Sequence, residues 1–106
     1  MSLMINKKVD DQTMTLYLKG IVDITTTAQL NPYLEEITDQ LKALIFDFTE
    51  VEFMDSTGIG SILNAIYLAQ EMEFKVIFKG VNELVDQVFD TVGIYQILET
   101  VQREEI

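Results

Sequence analysis

Twice in this chain a short apolar run is followed by a segment of helical periodicity, a pattern that dictates an α/β fold with parallel strands. The first run, Ala43 to Phe48, has strand length and is apolar for four residues without a break, as for a strand covered on both faces. It leads to Gly58–Met72, where Ile59, Ile62, Leu63, Ile66 and Ala69 share one side of a helix. The second run, Phe74 to Phe78, turns only Lys75 away from its apolar positions. Gly80 and Asn82 make the next turn, and Asn82 is placed to cap a third helix with a buried stripe of Val85, Val88, Phe89 and Val92. Gly93 stands where that helix must stop. A helix between two strands of one sheet leaves them parallel and joined by a right-handed crossover.

The N-terminal third adds an antiparallel component. Met14, Leu16 and Leu18 alternate with Thr15, Tyr17 and Lys19, the signature of a half-buried strand. A shorter strand, Leu3 to Val9, precedes it across a hairpin turn at Asp10-Asp11-Gln12. Thr25-Thr26-Thr27 then offers N-caps for a helix whose face is Leu30, Leu34, Ile37 and Leu41. Pro32 lies beyond the first turn of such a helix, which predicts either a kink or a helix that begins at Pro32 with Asn31 as its cap. Ile94 to Val101 fits an edge strand or a short helix, and residues 102–106 read as a loose polar tail. The expectation is one domain over residues 1–106, in the order β-β-α-β-α-β-α, with a mixed, mostly parallel sheet of four or five strands and three or four helices. Met1-Ser2-Leu3 before a second methionine, Met4, reads as a remnant of cloning.

Composition narrows the chemistry. The chain has neither cysteine nor histidine, which removes disulfides, thiolate metal sites and the commonest general base. No metal and no cofactor is expected. Seven basic residues against eighteen acidic ones give a charge of −11, which repels nucleic-acid phosphates and anionic membranes and suits a basic protein partner. The apolar runs fall far short of the ~20 residues that span a bilayer, and together with the lack of cysteine they point to the cytoplasm.

The junction Phe-Met-Asp-Ser-Thr-Gly-Ile-Gly, residues 53–60, is the candidate site. Asp55-Ser56 suits a helix start, since side-chain oxygens there accept from unpaired backbone N–H groups. Gly58 and Gly60, one turn in, do not suit it, because glycine costs about 1 kcal/mol per interior position relative to alanine. Something must approach that backbone closely. No Lys-Ser/Thr follows, so this is not a nucleotide-binding loop. Asp23 and Asp55 form a pair of carboxylates with no evident substrate pocket, and a serine nucleophile would need a base and an oxyanion site. The residues therefore suggest a binding protein and not an enzyme. Tyr67 and Leu68 on the outer side of the second helix are either the edge of the core or part of a partner interface.

Residues 55–60, together with Gly20, Asp23, Thr26 and Leu30, resemble the motif positions of the anti-sigma-factor antagonists of the STAS family, and the resemblance runs nearly the whole chain. It implies that Ser56 is the serine phosphorylated by a partner kinase, with Thr57 as the alternative hydroxyl. It implies a partner-binding face around Asp23, Asp55, Ser56, Thr57, Gly58 and Gly60, to which the exposed Tyr67 would add. The partner would be an anti-sigma factor of the ATP-dependent serine-kinase type, and a serine phosphatase would reset the switch. A phosphate at Ser56 would gain from the helix N-terminus and be repelled by Asp55, Asp47 and Glu52. The rival reading is a non-switching STAS scaffold or accessory subunit of a signalling or transport assembly.

Overall fold

The computed structural model describes residues 2–103. Four strands form one sheet in the order β1-β2-β3-β4. Strand β1 (Leu3–Asp10) runs antiparallel to β2 (Thr13–Val22), and β3 (Ala43–Met54) and β4 (Lys75–Lys79) follow in parallel. The hairpin between β1 and β2 turns on Asp11 and Gln12, with Asp11 at φ +57°. The remaining elements are a 3-10 turn (Thr27–Leu30) running into α1 (Asn31–Glu35), then α2 (Ser56–Met72), α3 (Glu83–Val92) and α4 (Ile94–Arg103). The mixed α/β domain expected from the sequence is the one found.

All four helices lie on one side of the sheet. Met14, Leu16 and Leu18 of β2, Leu44, Phe46 and Phe48 of β3, and Val76 of β4 are buried. Their neighbours of opposite parity, Thr15, Tyr17, Ile45 and Ile77, are half-buried or exposed. This corrects the expectation that Ala43–Phe46 is covered on both faces. The sheet is laid down in one direction, and successive crossovers of the same hand then land on the same side. Ile45 is shielded by its strand neighbours and not by a second layer.

The helix expected from Leu30 to Leu41 is also corrected. Pro32 falls in the first turn of α1, where its missing N–H costs nothing, and α1 ends at Glu35. Asn31 is the first residue of α1 and not its cap, and Thr26 makes no capping bond either. Ile37 and Leu41 are buried, but from the turns that follow.

Asn82 caps α3 as expected, accepting from the Val85 N–H at 2.9 Å while its own amide donates to the Val51 carbonyl at 2.8 Å. Val85 and Phe89 are fully buried, Val88 is half-buried, and Val92 is 42% exposed against expectation. Gly93, at φ +74°, reverses the chain there, and Ile94 just beyond it is fully buried where Val92 is not. Phe89 and Tyr95 join Phe48 and Phe78 in a cluster of edge-to-face and tilted rings that ties α3 and α4 to the sheet, with Phe48 and Phe89 centroids 5.2 Å apart.

The segment after Gly93 is a helix and not an edge strand, and its end is not loose. Gln102 lies in α4 and its side-chain carbonyl accepts the N–H of Val76 on edge strand β4 at 2.8 Å. Ser2 and Leu3 are likewise part of the fold: the Ser2 carbonyl accepts from Ile21 at 3.0 Å and Leu3 is buried. Met1 and residues 104–106, named above with the cloning remnant and the tail, lie outside the described residues.

Candidate functional site

Strands β2 and β3 overrun the five-residue β4 and carry Val22 and Met54 side by side to their carboxyl ends. Irregularities in pairing between Tyr17 and Lys19, and again between Gly20 and Ile21, bend this overhang. The chain leaves β3 at Met54 and enters α2 at once. Asp55 is the N-cap, with extended backbone angles, and its Oδ1 accepts from the N–H of Thr57 at 2.9 Å and of Gly58 at 3.0 Å. The Asp55 carbonyl takes the N–H of Ile59, and the Asp55 N–H donates to the Val22 carbonyl. Ser56 is therefore the first residue of α2. It is exposed, and its hydroxyl makes no hydrogen bond among the described residues.

The two glycines have different causes. Gly58 is buried, and a Cβ there would collide with the Val22 carbonyl oxygen and stand 3.0 Å from side-chain carbons of Val22 and Met54. The backbone that comes close to Gly58 is this chain's own β2, so the absent side chain lets α2 start against the strand. A Cβ on Gly60 would meet nothing within 4 Å. No contact within the fold requires a glycine at that position.

Asp23 does not present its carboxylate to solvent. It is 4% exposed, and Oδ1 accepts from the Thr25 hydroxyl at 2.6 Å and the Thr25 N–H at 2.9 Å. The Thr25 hydroxyl, ahead of the other hydrogen bonds and against the effect of burial, holds this carboxyl below the usual carboxylate range. Thr26, also buried, accepts from the Asp23 N–H at 2.9 Å and donates to the Ile21 carbonyl at 2.7 Å. Asp23 thus fastens the loop after β2. The apolar residue that this loop offers to solvent is Ile24, 74% exposed, which sequence reasoning missed. The available signal was an isoleucine with no periodic partner, set between an acid and three threonines.

A groove of about 440 Å³ runs between the 3-10 turn and the start of α2. Thr27, Ala28 and Asn31 form one wall, Thr57, Ser61 and Asn64 the other, and Gly60 lies among them. The lining is uncharged and rich in hydroxyl and amide groups. Ser56, Gly60 and Tyr67 follow at spacings of four and seven along one outer stripe of α2, so Tyr67 lies about 16 Å from Ser56. Tyr67 is 52% exposed, whereas Leu68 packs against the core. Asp47, expected beside Ser56, is seven residues back along β3 and ~23 Å from its end. Its carboxylate caps the Thr49 N–H on the far part of the sheet. Among the described residues, no group of three or more acids could hold a metal ion, and no helix is long and apolar enough to cross a membrane.

Known proteins are similar to this chain in sequence and fold. The family model of the STAS domain matches residues 4–105. An anti-sigma-B factor antagonist of Listeria monocytogenes is 25% identical over 95 residues, covering 88% of this chain and 82% of that one. The Bacillus cell-fate determinant SpoIIAA in its phosphorylated form has a TM-score of 0.70 at 20% identity, over 90% of this chain and 86% of that one. A sulfate transporter family protein from Wolinella succinogenes reaches 0.76 at 17% identity, over 87% and 75%. At these identities the two structures attest the fold, and the Listeria protein is by its name an antagonist of an anti-sigma factor. With the family model spanning all but a few residues, this chain belongs to the STAS-domain family.

Proposed function

We propose that this chain is an anti-anti-sigma factor whose partner-binding face is the start of α2 with the loop after β2. In this reading the unphosphorylated form binds, in the cytoplasm, an anti-sigma factor that is also an ATP-dependent serine kinase, and so frees a sigma factor. The kinase then transfers the γ-phosphoryl group of ATP to Ser56 Oγ. The new O–P bond replaces the β–γ bridge, ADP leaves, and the hydroxyl proton passes to a base of the kinase. The chain is the substrate, and a serine phosphatase reverses the mark. The observation that carries the reading is the exposed, unbonded Ser56 hydroxyl one residue past the Asp55 cap.

The hydrogen bonding around Ser56 also supports a particular way for the mark to act. The N–H groups of Thr57, Gly58 and Ile59 are already taken by Asp55. A phosphate at Ser56 gains the field of the helix, about 0.3–1 kcal/mol at an exposed site, but displaces no weaker partner from those donors. It adds ≈ −1.5 to −2 charges next to Asp55. The effect is to spoil the docking surface and leave the fold as it is.

Ser56→Ala should fold normally, bind the kinase and resist phosphorylation. Ser56→Asp should fold and bind roughly tenfold more weakly, equivalent to ~1.4 kcal/mol. Phosphopeptide mapping after incubation with the cognate kinase and ATP checks the acceptor; label on Thr57, or equal affinity of both variants, refutes it. A second reading, a non-switching subunit of a signalling or transport assembly, draws on the likeness of fold to the sulfate transporter family protein. Indifference to the kinase together with stable assembly into a large particle would select it.

A further inference from the structure

The face of the sheet that no helix covers has its own charge balance. Reading across the strands, its rows are Asp10–Thr13–Ala43–Lys75, Lys8–Thr15–Ile45–Ile77 and Asn6–Tyr17–Asp47–Lys79, with Met4, Lys19 and Glu50 beyond them. Four lysines stand against three acids in these rows, and exposed Glu52 at the β3 overhang adds a fourth, so the face is neutral on a chain of −11. The remaining surface therefore carries the whole −11, and this face alone is not acidic.

Its layout is also ordered. The middle of the face is Thr15, Tyr17 and Ile45, continued on β4 by Ile77, with Tyr17 and Ile77 about 40% exposed. Lysines stand on both edge strands, Lys8 on β1 and Lys75 and Lys79 on β4. Two ion pairs are formed among the described residues, Lys7 with Glu36 and Lys19 with Glu50. Among the described residues, Lys8, Lys75 and Lys79 have no carboxylate within ion-pairing distance.

We propose that this face docks an amphipathic helix with acidic flanks, supplied by another protein. Purely parallel sheets are closed on both faces by helices, and in this mixed sheet the three parallel strands have that covering on one face only. A helix laid along β2 and β3 would cover Thr15, Tyr17 and Ile45 with its apolar stripe and bring a flank to each row of edge lysines. Of the acids in these rows on β3, Asp47 has its Oδ1 occupied by the Thr49 N–H and Glu50 is paired with Lys19. A second copy of the chain would present the same lysines and the same four acids, so it offers Lys8, Lys75 and Lys79 no surplus of negative charge. The proposal is independent of the switch at Ser56, which stands on the opposite, helical side, and both partners could be held at once.

The test is a titration of the 15N-labelled chain at physiological salt with a synthetic 18-residue helix-forming peptide, leucine-striped and glutamate-flanked, and with its lysine-flanked counterpart. Overall charge alone favours the lysine peptide. The expected result is that the glutamate peptide binds more tightly and shifts the amides of Thr15, Tyr17, Ile45 and Ile77, with none moved at the start of α2. The double variant Lys75→Glu/Lys79→Glu should weaken that peptide at least tenfold with an unchanged unfolding midpoint. No shifts on the sheet, shifts confined to the helical side, or an affinity unaltered by the double variant overturns the proposal. So does a dimer in sedimentation that occupies the same face, or binding of duplex DNA or anionic vesicles that the double variant abolishes.

Discussion

Replacing Gly60 by alanine should make the free protein more stable and the complex weaker. Glycine inside a helix costs roughly 0.5–1 kcal/mol relative to alanine, through the extra freedom that it loses on folding. A Cβ at position 60 meets nothing within 4 Å, so no steric penalty opposes that gain. For a domain of this size the gain corresponds to a rise in melting temperature of about 2–5 °C. Gly58→Ala is the control. Its Cβ would strike the Val22 carbonyl, backbone that is fixed by its own bond from Asp55, and overpacking of that kind costs typically ~1–3 kcal/mol. Thermal and urea unfolding of the two variants should therefore differ in sign. Titration of Gly60→Ala with the cognate kinase should show a loss of affinity, because the new methyl enters the groove bounded by Thr57 and Asn64. Destabilisation by Gly60→Ala would show that the fold itself needs that glycine. Undiminished binding would show that no partner uses the space.

Three further outcomes follow from burial and charge. Ile62→Ala should cost ~2–5 kcal/mol in chemical denaturation, since Ile62 is wholly buried, whereas half-buried Val88 should lose only about 1 kcal/mol on the same change. Asp23 has a lowered folded-state pKa, so its contribution is complete above about pH 4 and is lost as pH falls through the folded value. Asp23→Asn should then be less stable than the parent at neutral pH, and the gap in denaturation midpoint should close in acid. Tyr95 donates to Asp86 at 2.6 Å, and burial first, then Asp86 and Asp90, push its phenol up to about 12. The stability tied to its proton is present below about pH 10 and lost as pH rises toward 12. Ultraviolet titration should show one tyrosine ionising late, and Tyr95→Phe should remove that step.

The sequence made the order of elements legible because each has a period that short-range physics fixes. Alternation at Met14–Lys19, the stripe at Ile59–Ala69 and the caps at Asp55 and Asn82 all appear in the structure as read. Properties that depend on the third dimension were not legible. Ala43–Phe46 is apolar on both parities, and only the one-way order of strands leaves one of its faces uncovered. Leu30 to Leu41 keeps helical spacing while the chain itself turns away after Glu35. At the site, Ser56 and Asp55 were placed correctly by capping chemistry. That the Asp23 carboxylate is held by Thr25 was not legible, since nothing local in the sequence tells it. Gly58 and Gly60 look alike in sequence and differ only in what stands opposite them.

The bond from Val76 to Gln102 has a consequence for how this protein survives in a crowded solution. A free edge strand is a template on which another chain can add itself, and Val76-Ile77-Phe78 is the kind of segment that invites it. With its side chain on the Val76 N–H, Gln102 occupies one rung of that template, and Lys75 and Lys79 charge both ends of the strand. The last described turn of α4 is in this sense a guard against polymerisation, and a cut before Gln102 would leave a folded domain with a sticky margin.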